Sequence, residues 1–175
     1  RYMFEPSRVG LFNAILGQLG FKPIRWLADT STALASLAMV GVWKDIGYML
    51  VIYLAGLQAI PVVYYEAAQI DGANRWNVFW HITLPLLSPT ILFVVIMETL
   101  HALMMFTETY VMTGQSGMVA GGPLGSTRTL VLMIYQTAFT YQKEGYASAI
   151  AVVLFVIAVV IAFLQFRLGQ RTVEY

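Results

Sequence analysis

The sequence predicts an all-α protein, a polytopic transmembrane helical bundle, on three observations. Of its 175 residues, 59% are hydrophobic and only 11% are charged, against about 25% charged in an ordinary globular domain. Mean hydropathy is +0.72. Three stretches are long enough to cross a bilayer core of about 30 Å, which takes about 20 helical residues.

Residues 1–29 come first and carry mixed character. Glycines at 10, 17 and 20 and prolines at 6 and 23 punctuate short apolar pieces such as LFNAIL, which reads as interfacial chain with one short helix. Trp26 suits a headgroup belt, and Asp29, Thr30 or Ser31 can cap the helix that follows. The first span covers about 32–60, with Lys44 and Asp45 in its middle and small residues at Ala35, Ala38, Gly41, Gly47, Ala55 and Gly56 that would let neighbouring helices approach.

A loop over 62–84 separates the first two spans. Val62 to Ile70 reads as a short helix with Val63, Ala67 and Ile70 on one side and Glu66 and Gln69 toward another. Asp71-Gly72 then stops it, since Gly72 readily takes the left-handed conformation that closes a helix. A second short helix follows, with Trp76, Phe79 and Trp80 on its apolar face. Ala67, Ala68, Gly72 and Ala73 keep one surface low enough for another backbone to come close.

The second span, about 85–106, is led by Pro85 and Pro89, which cost little at a helix start. It contains Glu98 and His101, three residues apart and therefore on one helix face. The Gly-rich loop over 107–145 includes Glu108, the turn Gly121-Gly122-Pro123 and an apolar segment, 129–139, too short to span. The third span, about 146–168, is unbroken apolar sequence from Ala149 to Leu164 and is followed by Arg167 and Arg171.

Several classes fall away. A net charge of +1 gives no support to nucleic-acid or polybasic lipid binding. Without cysteine there are no disulfides or thiolate metal sites, and no metal-binding spacing such as H-E-x-x-H is present, so no metal or other cofactor is expected. No Gly-Lys pair occurs, hence no P-loop to cradle phosphates. The chain opens on Arg without a signal-peptide pattern, as expected of the C-terminal part of a longer protein. Lysine and arginine counts slightly favour a cytoplasmic N-terminal segment.

The segment Tyr64 to Pro89 resembles the EAA loop of ABC-importer permeases, the binding-protein-dependent superfamily. That pattern runs E-A-A, three positions to G, then nine positions to I-x-L-P. Glu66-Ala67-Ala68, Gly72, Ile82, Leu84 and Pro85 stand in that register, with Asp71 and Ala73 completing D-G-A. The stretches VWKDIGYMLVIYLAGLQAIP, GGPLGSTRTLVLMIYQTAF and GYASAIAVVLFVIAVVIAFLQFRL are similar to the sugar-uptake branch, maltose-F-like, with glycerol-3-phosphate permeases as near relatives. One departure is the insertion GQSGMVA, between the YVMT region and GGP.

The resemblance implies a cytoplasmic coupling helix pair over 62–84 that docks on an ATPase subunit, with Glu66 as the charged contact and Gly72 setting the angle between the helices. It implies as partners a second homologous permease, two copies of a cytoplasmic ATP-binding subunit, an extracytoplasmic solute-binding protein and membrane lipid. The cell membrane of a bacterium or archaeon is the implied location. Against the charge count, it places the C-terminus with the coupling loop in the cytoplasm and 1–29 and 107–145 outside. The chain would be no enzyme itself. Glu98, His101 and Glu108 are the expected polar residues of the solute path, for a carbohydrate or a related polyol phosphate. Three rivals remain from the residues: an ion-coupled secondary carrier, an intramembrane enzyme using Glu98, His101 and Glu108, and an amino-acid or peptide permease with the same loop.

Overall fold

The computed structural model describes residues 2–7, 10–114 and 120–173, with side chains described to residue 169. Residues 115–119 of the GQSGMVA insertion lie outside the described residues, as do Arg1, Arg8 and the side chain of Arg171, which entered the charge count.

All regular structure among the described residues is helical: α1 (Leu11–Gln18), α2 (Ala33–Gln58), α3 (Val62–Ile70), α4 (Arg75–Val78), α5 (Leu84–Leu103), α6 (Thr107–Thr113), α7 (Leu130–Tyr135) and α8 (Glu144–Val173). Among the described residues, three helical stretches are long and apolar enough to cross a membrane: Ala33–Gln58, Arg75–Leu103 and Glu144–Gly169. Much of their apolar surface, such as Val42, Leu50, Val152 and Phe155, is exposed within the chain. Such surface is unfavourable in water and calls for an apolar environment around these helices.

The second of these stretches begins ten residues before the expected helix start at Pro85. A π-helical turn, Phe79–Thr83, joins α4 to α5, and the Leu84 N–H reaches the Phe79 carbonyl, five residues back. Proline has no N–H to give to an α-helical ladder. The wider turn carries the chain through Pro85 without ending the helix, and Pro89 also lies inside α5.

The chain divides into two compact units, residues 1–44 with 102–156 and residues 45–101 with 157–175. In the first unit Phe4, Leu37 and Met112 form a core flanked by Phe12, Trp26 and Met105. Asn13 on α1 organises it. Fully buried, its amide donates to the Glu5, Pro6 and Ile24 carbonyls at 2.9–3.1 Å. Its carbonyl accepts from the Ile24 N–H at 3.0 Å and the Trp26 indole N–H at 3.1 Å. Trp26 thus packs among Phe4 and Phe12, where the sequence suggested a headgroup belt. Asp29 does not cap α2 directly. Its carboxylate accepts from the backbone N–H and hydroxyl of Ser31 in the preceding turn, and those bonds, with attraction from Arg25, hold its pKa below the ordinary carboxylate value.

In the second unit α2 meets α5 at Gly56, where an added Cβ would lie 2.7 Å from Thr90 Oγ1 and 2.9 Å from Leu87 Cδ1. There the helices do approach closely. Gly47 has nothing within 4 Å of the same construction, and Ala35, Ala38 and Ala55 are exposed. Gln165 of α8 donates to Thr99 Oγ1 of α5 at 2.7 Å.

Candidate functional site

The loop between the first two long helices is built by local rules. Pro61 has extended backbone at the start of α3, a place where its fixed φ and missing N–H do no harm. At the other end, the Gly72 N–H donates to the Gln69 carbonyl at 3.1 Å and the Ala73 N–H to the Ala68 carbonyl at 2.9 Å. Gly72 sits at φ +72°. This is a Schellman closure, with glycine at the left-handed position.

Asn74 then starts α4, its side chain accepting from the Asn77 N–H at 2.8 Å as an N-cap. The Tyr65 and Thr83 hydroxyls lie 3.3 Å apart and strap α3 to the end of the π-helical turn. His81 Nδ1 lies 3.0 Å from the Asn77 carbonyl oxygen. The result is two short helices with a fixed corner, the second continuous with a long apolar helix.

Within this corner the predicted residues divide by exposure. Glu66, Ala67, Asp71 and Gly72 are exposed, whereas Ala68 is buried and Ala73 half-buried. Ala68 and Ala73 therefore serve the closure itself, and the low outward surface is narrower than the four-residue surface read from sequence. Ile82, Leu84 and Pro85 are half-buried. Tyr64, Ala67, Asp71 and Asn77 help line an open hollow between α3 and α4. Beside it stand exposed Ile70 and Trp76, at 86% and 73%, an amphipathic edge suited to a protein partner. Asn74 and Tyr65 were missed from sequence. An Asn two residues past a helix-closing Gly is a readable cap signal, but the Tyr65–Thr83 strap joins residues 18 apart.

Charged and ionisable residues on α2, α5 and α6 form two groups. In the first unit Lys44 pairs with the mostly buried Glu108 at 2.5 Å. In the same unit Phe106, Tyr110 and Tyr135 pack on one another with centroids 5.1–5.4 Å apart, Phe106 and Tyr110 stacked. In the second unit, Glu98 and His101 of α5 converge with Asp45 of α2, their ligand atoms all within 4.8 Å. Sequence spacing identified the Glu98/His101 face but not Asp45, which arrives from a different helix. Lys44 and Asp45 point to different partners, as neighbours about 100° apart on a helix must.

The family described as binding-protein-dependent transport system inner membrane component matches residues 9–174. The sulfoquinovosyl glycerol transport system permease protein SmoG of Agrobacterium fabrum is 40% identical over 159 residues, covering 91% of this chain and 50% of that protein. The trehalose/maltose transport system permease protein MalF of Thermococcus litoralis is 40% identical over 164 residues, covering 92% and 52%. The chain thus spans about half the length of these curated relatives. In fold it is similar to a chain of a bacterial ABC transporter involved in the import of the acidic polysaccharide alginate, with a TM-score of 0.75 and 24% identity over 99% of this chain and 58% of that one.

Proposed function

The chain belongs to the family of binding-protein-dependent transport system inner membrane components, and from that premise we propose that it is the C-terminal part of a permease subunit in an ATP-driven importer of a carbohydrate or related solute. Its multi-pass membrane location follows from the family and the three apolar helices. One observation carries the coupling role: two short helices locked at the Gly72 corner, with Glu66 exposed on one and the other continuous with Arg75–Leu103.

The mechanism follows from that continuity. A cytoplasmic ATPase subunit would hold α3 and α4 in a cleft, with Glu66 as charged contact and Ile70 and Trp76 as apolar anchors. When the ATPase closes on ATP, a corner that cannot flex passes the displacement into α5 without losing it in the loop. The Schellman closure, the Asn74 cap and the Tyr65–Thr83 strap supply that stiffness. ATP hydrolysis belongs to this partner, present in two copies beside a second permease and an external solute-binding protein. The loop and the C-terminus face the cytoplasm, and the segments 1–29 and 107–145 face outward.

For the solute, the clustered rings of Phe106, Tyr110 and Tyr135 suit a sugar, whose C–H faces stack on aromatic rings, and Glu108 of the same unit offers a carboxylate to which hydroxyls donate. The test of the coupling role is ATP-dependent uptake by the full transporter in membrane vesicles. Glu66→Ala should lower uptake about tenfold or more while the protein still assembles with the binding protein and second permease. Unchanged uptake would remove the coupling assignment.

A further inference from the structure

Asp45, Glu98 and His101 form a grouping that neither the coupling corner nor the aromatic cluster uses. The three residues belong to one unit, stand on two helices able to span a membrane and bring one ligand atom each within 4.8 Å of one another. None of the three side chains makes a hydrogen bond or ion pair among the described residues. Ionisable groups within spans are costly, and they persist where they meet a partner. Two carboxylates drawn together repel unless a proton or a cation joins them.

We propose that Asp45, Glu98 and His101 bind a divalent transition-metal ion of the zinc type. The imidazole decides the class. Magnesium and calcium prefer all-oxygen shells, whereas zinc and cobalt accept mixed nitrogen and carboxylate sets. Three protein ligands leave open positions for water. Bonds of about 2.0–2.2 Å in a tetrahedral site place neighbouring ligand atoms about 3.3 Å apart, so atoms within 4.8 Å of one another need draw in by about 1.5 Å at most to hold an ion. The bound ion ties α2 to α5 and neutralises both carboxylates. This assignment replaces the solute-path role that sequence spacing suggested for Glu98 and His101, and it stands whether or not the chain imports sugar.

The test is Co²⁺ titration of the metal-stripped full-length protein in its assembled complex, read by visible absorption. One Co²⁺ per chain is expected, with d–d bands abolished by Zn²⁺ and left intact by excess Mg²⁺ or Ca²⁺. Asp45→Asn and Glu98→Gln should each weaken binding by about tenfold or more, while Glu144→Gln, at the exposed start of α8, should not. His101→Cys should retain the ion and add a thiolate-to-cobalt charge-transfer band missing from the wild-type spectrum, a gain of signal that a misfolded variant cannot give. The proposal is overturned if wild type shows no Co²⁺ bands, if the bands survive unchanged in Asp45→Asn and Glu98→Gln, or if Mg²⁺ competes as well as Zn²⁺.

Discussion

Replacing Gly72 separates two explanations of the coupling loop, a stiff corner and a close contact surface. At φ +72° the position lies in the left-handed region, which costs an L-residue about 1–2 kcal/mol. An added Cβ would meet nothing within 4 Å, so within the chain the penalty for alanine is conformational alone. That penalty shifts the closed corner against opened forms by roughly 5- to 30-fold. Asparagine tolerates the left-handed region better than alanine, and valine, being β-branched, tolerates it worst. Function should therefore fall in the order Gly, Asn, Ala, Val. A corner that fails only through bulk against the ATPase predicts Asn worse than Ala, because Asn is larger. The assay pairs ATP-driven uptake with hydrogen exchange at the amides of residues 72 and 73, whose bonds to Gln69 and Ala68 close the turn. In Gly72→Ala those amides should exchange roughly 5- to 30-fold faster. Wild-type exchange in Gly72→Ala, or uptake lower in Gly72→Asn than in Gly72→Ala, would refute the stiff-corner reasoning.

Other outcomes follow from the packing. Asn13→Ala strips five hydrogen bonds from a fully buried site and should cost about 3 kcal/mol, seen as a lower melting temperature and faster proteolysis near residues 5–26. Gly56→Val should destabilise by about 1–3 kcal/mol through overpacking against Thr90 and Leu87, whereas Gly47→Ala should stabilise by about 0.5–1 kcal/mol in an open helical position; thermal melting in detergent reads both. Asp29 has a lowered folded pKa, so its contribution is complete above the unfolded carboxylate value of about 3.9 and fades as pH falls through the lower folded one. The exchange rate of the Ser31 amide should accordingly be flat from neutral pH down to about pH 4, once corrected for intrinsic pH dependence, and rise only below it.

What was legible in the sequence was local. The bounds of α3 follow from Pro61 at one end and Asp71-Gly72 at the other, a cap and a stop that act within a few residues. The three apolar stretches declare themselves by length alone. Pro85 misled because proline at a helix start is a sound local rule, and the π-helical turn that absorbs it depends on register across Phe79–Thr83. Ala68 and Ala73 read as outward surface because spacing cannot tell a low face from a closed one; the Schellman bond turns them inward. The partners of Asn13 and Asp45 were invisible for a different reason. Asn13 gathers partners 7–13 residues away, and Asp45 meets residues more than 50 positions along, pairings that no periodicity announces.

The central claim is that the segment 62–84 docks on an ATPase, and a disulfide tests it most directly. Ala67 is exposed where Ala68 is buried, and the chain holds no cysteine. In the full-length transporter, Ala67→Cys should cross-link to a cysteine in the cleft of the ATPase subunit, and the bond should arrest ATP-driven uptake until a reductant restores it. Failure to cross-link across a set of cleft positions, with uptake independent of the ATPase subunit, would contradict the claim and return the segment to a plain interfacial loop.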